Sequence, residues 1–283
     1  MIRQNDMQQK LSQKESVIFS DQINIDSQNK STKQNITKEL YNSNASSWVR
    51  GEPSSLSDFT ARPAILAMCE PLANTKVLDL GCGEGYCSRQ LRQRGAKEVR
   101  GIDLSEAMIA AAKTQEEQQP LGINYQTGCA TKLDSFADGE IDLVVAVFLF
   151  NYLTIEQTQQ CMSEVFRILA AGGRFIFSVP HPAFPYMGQT EYPFYFQVEG
   201  NNYFSARDRL FSGRIWKRDG NWLGVQLVHK TLQDYFEALQ KAGFSTMPKI
   251  KELHVQKEHL ELDPAFFSSL VDLPLHLAFE ISK

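Results

Sequence analysis

From Lys76 to Val179 the chain alternates β-forming runs with stretches of helical periodicity. "KVLDL" is followed by a helix from Tyr86 to Arg94, then "EVRGID", a helix beginning "SEAMIAAAKTQ", the short "INYQT", "IDLVVAV", a helix from about Ile155 to Leu169, and "GRFIFSV". Ser105 is the expected N-cap of the second of these helices, with Glu106 in its first turn. Such an order leaves few folds open. Parallel neighbours need long crossovers, and helical crossovers cover both faces of the sheet they connect. The pattern predicts a Rossmann-like, doubly wound α/β domain that binds its ligand at the carboxyl ends of the strands.

The alternation stops after Pro180. Eleven aromatic residues lie between Phe184 and Trp222, so residues 183–222 are expected to form an insertion that closes over the acceptor site. The doubly wound pattern is expected to resume with "VQLVHK", then a helix "TLQDYFEALQKAG" capped by Gly243, and a final strand near "LHLAFEIS". Upstream, "ITKELYNSNASSWV" and "SDFTARPAILAMCEPL" read as two helices. Residues 1–35, rich in Gln, Asn, Ser and Lys, are expected to form a mobile arm, because they cannot bury enough apolar surface to offset ordering. Residues 36–283 then make up one domain.

A net charge of -4 gives no basic footprint for phosphates, so nucleic acid is excluded as the expected partner. The five cysteines are odd in number and form no C-x-x-C pair, which points to reduced thiols in a cytoplasmic protein. "LVVAVFLF", the longest apolar run, is far too short for a membrane span, and the N-terminus lacks a signal-peptide core. No metal is expected, since neither histidine considered below has ligand spacing to a second His, Cys or acid.

The stretch "VLDLGCGEGY" carries Gly81, Gly83 and Gly85 directly behind the first strand. Glycines there let backbone approach a ligand, and the helix that follows offers free N–H groups. The dinucleotide fingerprint needs its third glycine three residues after the second, and here the gap is two. Asp79 just ahead of the loop would oppose a pyrophosphate but suit an ammonium group. Asp103 closes the neighbouring strand, where its carboxylate can take both hydroxyls of a ribose or cap the next helix. Leu104 and Met108 either flank an adenine or belong to the core.

Together, "VLDLGCGEGY", "VRGIDLSEAM", "IDLVVAVFLFNYL" and "LAAGGRFIFSVP" resemble the successive motifs of class I S-adenosylmethionine-dependent methyltransferases, over roughly Tyr41 to Lys283. The resemblance implies a seven-stranded, mostly parallel sheet with an antiparallel last strand at Leu275 to Ser282, and S-adenosylmethionine as cofactor. It places Gly81, Cys82, Gly83 and Gly85 under the methionine part, Asp79 near its amino group, Asp103 on the ribose, and Phe148 and Leu149 on the methionyl side. Where the family commonly has an acidic then a small residue after the third strand, this chain has Cys129 and Ala130. The backbone N–H of Ala130 can meet the adenine, but Cys129 is a poor acceptor.

On the acceptor side, His181 in "SVPHPAF" and His229 in "LVHKTLQDY" are the candidate catalytic residues, as base or as orienting group, with turn histidines the alternative. Arg207, Arg209, Arg214, Lys217 and Arg218 either bind an anionic substrate or form a solvated surface. "FLFNYL" stands where base-methylating relatives have an Asn/Asp-Pro-Pro-aromatic turn, which argues against DNA or RNA bases. The likeness is to small-molecule methyltransferases of secondary metabolism, including enzymes that esterify a peptide carboxylate. The expected activity is methylation of a carboxylate or hydroxyl oxygen of a small molecule or modified peptide. N-methylation of an amine, a non-catalytic nucleoside-binding module and an NAD-dependent oxidoreductase are the alternatives, and the sequence leaves the oligomeric state open.

Overall fold

The computed structural model describes residues 37–198 and 200–283, so the expected arm over residues 1–35 lies outside the described residues. Residues 38–48 are helical (α1). The single helix expected next is two, α2 (Leu56–Thr60) and α3 (Arg62–Met68), divided at Ala61. Pro63 explains the break: it has no N–H to continue α2, but it fits the first turn of α3, where no donor is needed.

The alternating region folds as β1 (Lys76–Leu80), α4 (Tyr86–Gln93), β2 (Glu98–Asp103), α5 (Glu106–Gln118), β3 (Asn124–Thr127), β4 (Ile141–Val147), α6 (Ile155–Ile168) and β5 (Leu169–Pro180). Farther on come α7 (Leu232–Ala242), β9 (Lys249–Leu253) and β10 (His276–Ser282). The seven strands stand in the order β3-β2-β1-β4-β5-β10-β9. β1 pairs in parallel with β2 and β4, whereas β10 runs antiparallel to both β5 and β9. Alternate residues of each inner strand feed opposite cores. Leu78, Phe177 and Phe279 pack on one face of the sheet, and Val77, Ile176 and Ala278 on the other. Ser105 caps α5 by accepting from the Met108 N–H, and Gly243 ends α7 with a left-handed φ of 111°.

Two strand assignments differ from expectation. "VQLV" does not resume the main sheet but belongs to β8 (Trp222–Val228), which pairs with β7 (Leu210–Trp216), itself paired with β6 (Phe194–Phe196), in a separate antiparallel sheet. The insertion's sheet therefore runs to Val228, beyond Trp222. The missing strand of the main sheet is "KIKEL", at the edge, where four of its five residues are exposed. The insertion has its own core: Phe184, Phe194, Phe196 and Leu223 pack with Leu56 of α2 and Phe267. Among the described residues no helix is long and apolar enough to cross a membrane.

Candidate functional site

The turn from β1 into α4 is built on three left-handed glycines, with φ 75° at Gly81, 55° at Gly83 and 85° at Gly85. They serve different ends. A Cβ at Gly85 would lie 2.4 Å from the Tyr125 hydroxyl, so that glycine lets β3 close on the loop. A Cβ at Gly83 would meet nothing within 4 Å, so that residue borders open space. The Cys82 side chain turns into the core, and burial pushes its thiol well up, which leaves only its backbone facing outward.

Asp79 ends in a polar mismatch. Its Oδ2 accepts from Ser88 Oγ at 2.6 Å, while Oδ1 is buried with no partner among the described residues. Burial pushes its carboxyl up to about 6; the Ser88 bond and the Arg62 charge act against that shift, and the Asp103 charge adds to it. Asp103 sits 24 residues on in sequence but touches the same loop. Its Oδ2 accepts from the Gly83 N–H and its Oδ1 from the Ser105 N–H, both at 2.9 Å. Each oxygen keeps a lone pair for a ligand. Burial raises its pKa, opposed by these N–H groups.

The other predicted cofactor residues fall around this loop. Phe148 and Leu149 follow β4, with Phe148 at a left-handed φ of 58° and Leu149 packed 3.1 Å from the position of a Cβ on Gly81. Leu104 is half-buried and Met108 buried at the start of α5. Cys129 and Ala130 lie in the turn after β3, with Cys129 Sγ 3.1 Å from Thr131 Oγ1.

Several residues here were not legible as site residues in the sequence. Arg62 of α3 donates through Nη1 to Ser57 Oγ at 2.6 Å and Asp58 Oδ1 at 2.9 Å, while its Nε is buried without a partner among the described residues. Its guanidinium lies 5.4 Å from the centre of the Phe148 ring. Arg50 bridges Asp58 and Glu84, each at 3.1 Å, and Glu84 also holds Arg89 at 2.8 Å. Tyr41 of α1 meets Tyr152 hydroxyl to hydroxyl, and Asn42 Oδ1 accepts from Ser105 Oγ at 2.6 Å. Thus α1 is fastened beside Asp103. Nothing local in "ELYNSN" or "TARPAI" signals this, because the chain reaches the site from outside the alternating region.

Of the two candidate histidines, His181 is held at both ring nitrogens and His229 at one. His181 Nδ1 accepts from the Ala183 N–H at 3.1 Å, which puts the ring proton on Nε2, 3.3 Å from Glu252 Oε1. Neither nitrogen can meet an acceptor without giving up one of these bonds. His229 is fully buried, donates from Nε2 to the Tyr203 carbonyl at 2.8 Å, and packs edge-on against Tyr186 and Tyr203, while its Nδ1 is buried without a partner among the described residues. Burial lowers the pKa of both rings. The basic residues of the insertion are also occupied. Arg207 pairs with Asp234, Arg209 with Asn201, Lys217 with the Ser47 carbonyl and Arg218 with Asp263, and Arg214 stacks 4.2 Å over Trp222. That pattern fits surface bracing better than an anion site.

A family model described as a methyltransferase domain matches residues 77–173, the stretch that holds the glycine loop, Asp103 and Phe148. Residues 77–173 match a methyltransferase domain, within a fold shared with S-adenosylmethionine-dependent methyltransferases. S-adenosylmethionine is the cofactor of that family. An S-adenosylmethionine-dependent methyltransferase from Mesorhizobium loti shares the fold with a TM-score of 0.58 and 24% identity, over 78% of this chain and 96% of that one. A Haemophilus influenzae protein is 32% identical over 139 residues, 47% of this chain and 53% of its own length. A ubiquinone biosynthesis O-methyltransferase from Coxiella burnetii is 35% identical over 107 residues, 38% of this chain and 44% of its own. The chain spans about half the length of the curated relatives it matches.

The residues present fit the cofactor. Asp79 Oδ1 is a buried acceptor awaiting a donor, Arg62 Nε a buried donor awaiting an acceptor, and Gly83, hydrogen-bonded to Asp103, borders open space. An amino acid zwitterion joined to a ribose offers the matching groups.

Proposed function

We propose that the protein is an S-adenosylmethionine-dependent methyltransferase acting on an oxygen of a small molecule or modified peptide. The unpartnered Asp79 Oδ1, set against a glycine loop whose geometry is fixed by Asp103, carries this reading. Asp79 would hold the cofactor's ammonium, Arg62 its carboxylate, Asp103 the ribose hydroxyls, and Phe148 would flank the methionyl chain. When bound, the cofactor supplies a methyl group on a sulfonium, a strongly activated leaving group. The protein's task is then alignment, which supplies about 7–11 kcal/mol where reactants are held in attack geometry. The aromatic insertion would cover the acceptor and exclude water. The Coxiella relative's O-methyltransferase name supports oxygen over nitrogen. An odd number of cysteines with no C-x-x-C pair supports a reducing, cytoplasmic setting.

Isothermal titration should show S-adenosylhomocysteine binding in the micromolar range and no NADH binding. Radiolabelled methyl transfer to a metabolite and peptide panel should then yield an O-methylated product. NADH binding alone would overturn the reading, and labelling only at nitrogen would overturn its oxygen half.

A pH dependence follows from Asp79. With a pKa of about 6 it is mostly neutral near pH 5 and ionised above pH 7, and a bound ammonium favours the ionised form. Affinity for S-adenosylhomocysteine should therefore rise about tenfold as pH goes from about 5 to 7, then level off. A flat titration profile across that window would remove Asp79 from the ammonium contact.

A further inference from the structure

His276 occupies a place that the two candidate histidines do not. It is the first residue of β10, paired with Pro180 at the end of β5 and Leu253 at the end of β9, so it stands at the ligand end of the sheet. Only 1% of its surface is exposed. Its ring meets Phe148 edge-on, with centroids 5.0 Å apart, and lies 5.7 Å from Phe194 of the insertion. It thus bridges the methionyl wall and the cover over the acceptor.

The hydrogen bonds fix its tautomer. Thr60 gives its hydroxyl proton to the Leu56 carbonyl at 3.0 Å, so its oxygen can only accept from His276 Nε2, 3.3 Å away. Nδ1 then carries a bare lone pair, buried and without a partner among the described residues. Leaving a buried acceptor unpaired is destabilising. A ligand that donates to it would recover that cost.

We propose that His276 Nδ1 accepts a hydrogen bond from a hydroxyl of the methyl acceptor, and so selects a neutral alcohol or phenol over a carboxylate or an amine. This rests on the methyltransferase reading above and narrows it. A carboxylate has no proton to give and would oppose the lone pair. An amine would arrive either as an ammonium, whose charge the Arg62 guanidinium near this ring opposes, or as a free base, whose N–H is a weaker donor than a hydroxyl. Burial, then Arg62 and His181, hold the imidazole far below its usual pKa, at about 3, so it stays neutral and its lone pair stays available.

The test uses the protein labelled with [15N]histidine and saturated with S-adenosylhomocysteine, probed with phenol, benzoate and benzylamine. Nitrogen NMR should show the Nε2–H tautomer at His276, and phenol alone should move its Nδ1 resonance. His276→Phe, which keeps the ring packing against Phe148 and Phe194, should weaken phenol binding about tenfold and leave S-adenosylhomocysteine binding unchanged. His276→Asn, which places an oxygen acceptor near the Nδ1 position, should restore most of the phenol affinity and serves if the Phe variant does not fold. A proton on Nδ1, a response to benzoate or benzylamine as large as that to phenol, or phenol binding indifferent to His276→Phe would each overturn the assignment. Failure of the unmodified protein to bind S-adenosylhomocysteine would instead strike the methyltransferase reading.

Discussion

Replacing Asp103 with alanine should raise the dissociation constant for S-adenosylhomocysteine at least tenfold while the protein remains folded. The carboxylate has two tasks. It fixes the loop through the Gly83 N–H and the start of α5 through the Ser105 N–H, and it would offer its remaining lone pairs to the ribose. Charge-assisted bonds of the second kind contribute about 1.5–3 kcal/mol each, so losing even one exceeds the 1.4 kcal/mol that a tenfold change requires. The control is Ser105→Ala, which removes the side-chain cap on Met108 and the bond to Asn42 but no ligand contact, and should lower thermal stability with little change in affinity. Titration calorimetry on both variants, with circular dichroism to monitor folding, separates the two tasks. An unchanged constant for Asp103→Ala would take the residue out of the site.

The parts of this molecule that could be read in the sequence are those where local pattern and tertiary role agree. β1, the glycine turn and β2 are contiguous, and their chemistry is written in residue type and spacing. "KIKEL" escaped because an edge strand with four exposed residues shows neither apolar alternation nor a buried run. "VQLV" misled for the opposite reason. It is β-forming and buried throughout, but a strand's sequence does not say which of two sheets it joins. The same limit applies to the site. His181 and His229 draw attention through flanking prolines and a helix start, yet hydrogen bonds visible only in three dimensions hold both nitrogens of His181 and Nε2 of His229. His276 reads as a polar residue opening a mixed strand, and only the register with Pro180 places it beside Phe148. Arg62 belongs to the site through helices that precede the first strand, a relation with no fixed spacing.

The second large effect should come from Asp58, which touches no ligand. Its Oδ1 lies 3.1 Å from Arg50 Nη2 and 2.9 Å from Arg62 Nη1, and its Oδ2 accepts from the Ser54 and Ser55 N–H groups at 3.0 and 2.8 Å. Burial alone would raise its carboxyl pKa, but Arg62, Arg50 and these two N–H groups outweigh it and hold it below the ordinary value of 3.8. Without the carboxylate Arg50 retains Glu84, but Arg62 has no other salt bridge among the described residues. Stranding one partner of a buried ion pair costs about 3–5 kcal/mol, a large share of the roughly 5–15 kcal/mol that holds a domain together. Asp58→Asn should lose about that much in urea unfolding, and Arg62→Met in the same chain should recover part of it, because the stranded charge is then gone. The carboxyl is depressed in the folded state, so its contribution is present above pH 3.8 and fades as pH falls through the lower folded value. The gap between wild type and Asp58→Asn should therefore narrow in acid. A loss below about 1 kcal/mol at neutral pH would mean that both arginines reach water on their own. In that case Arg62 would not be held rigidly enough to serve the cofactor's carboxylate.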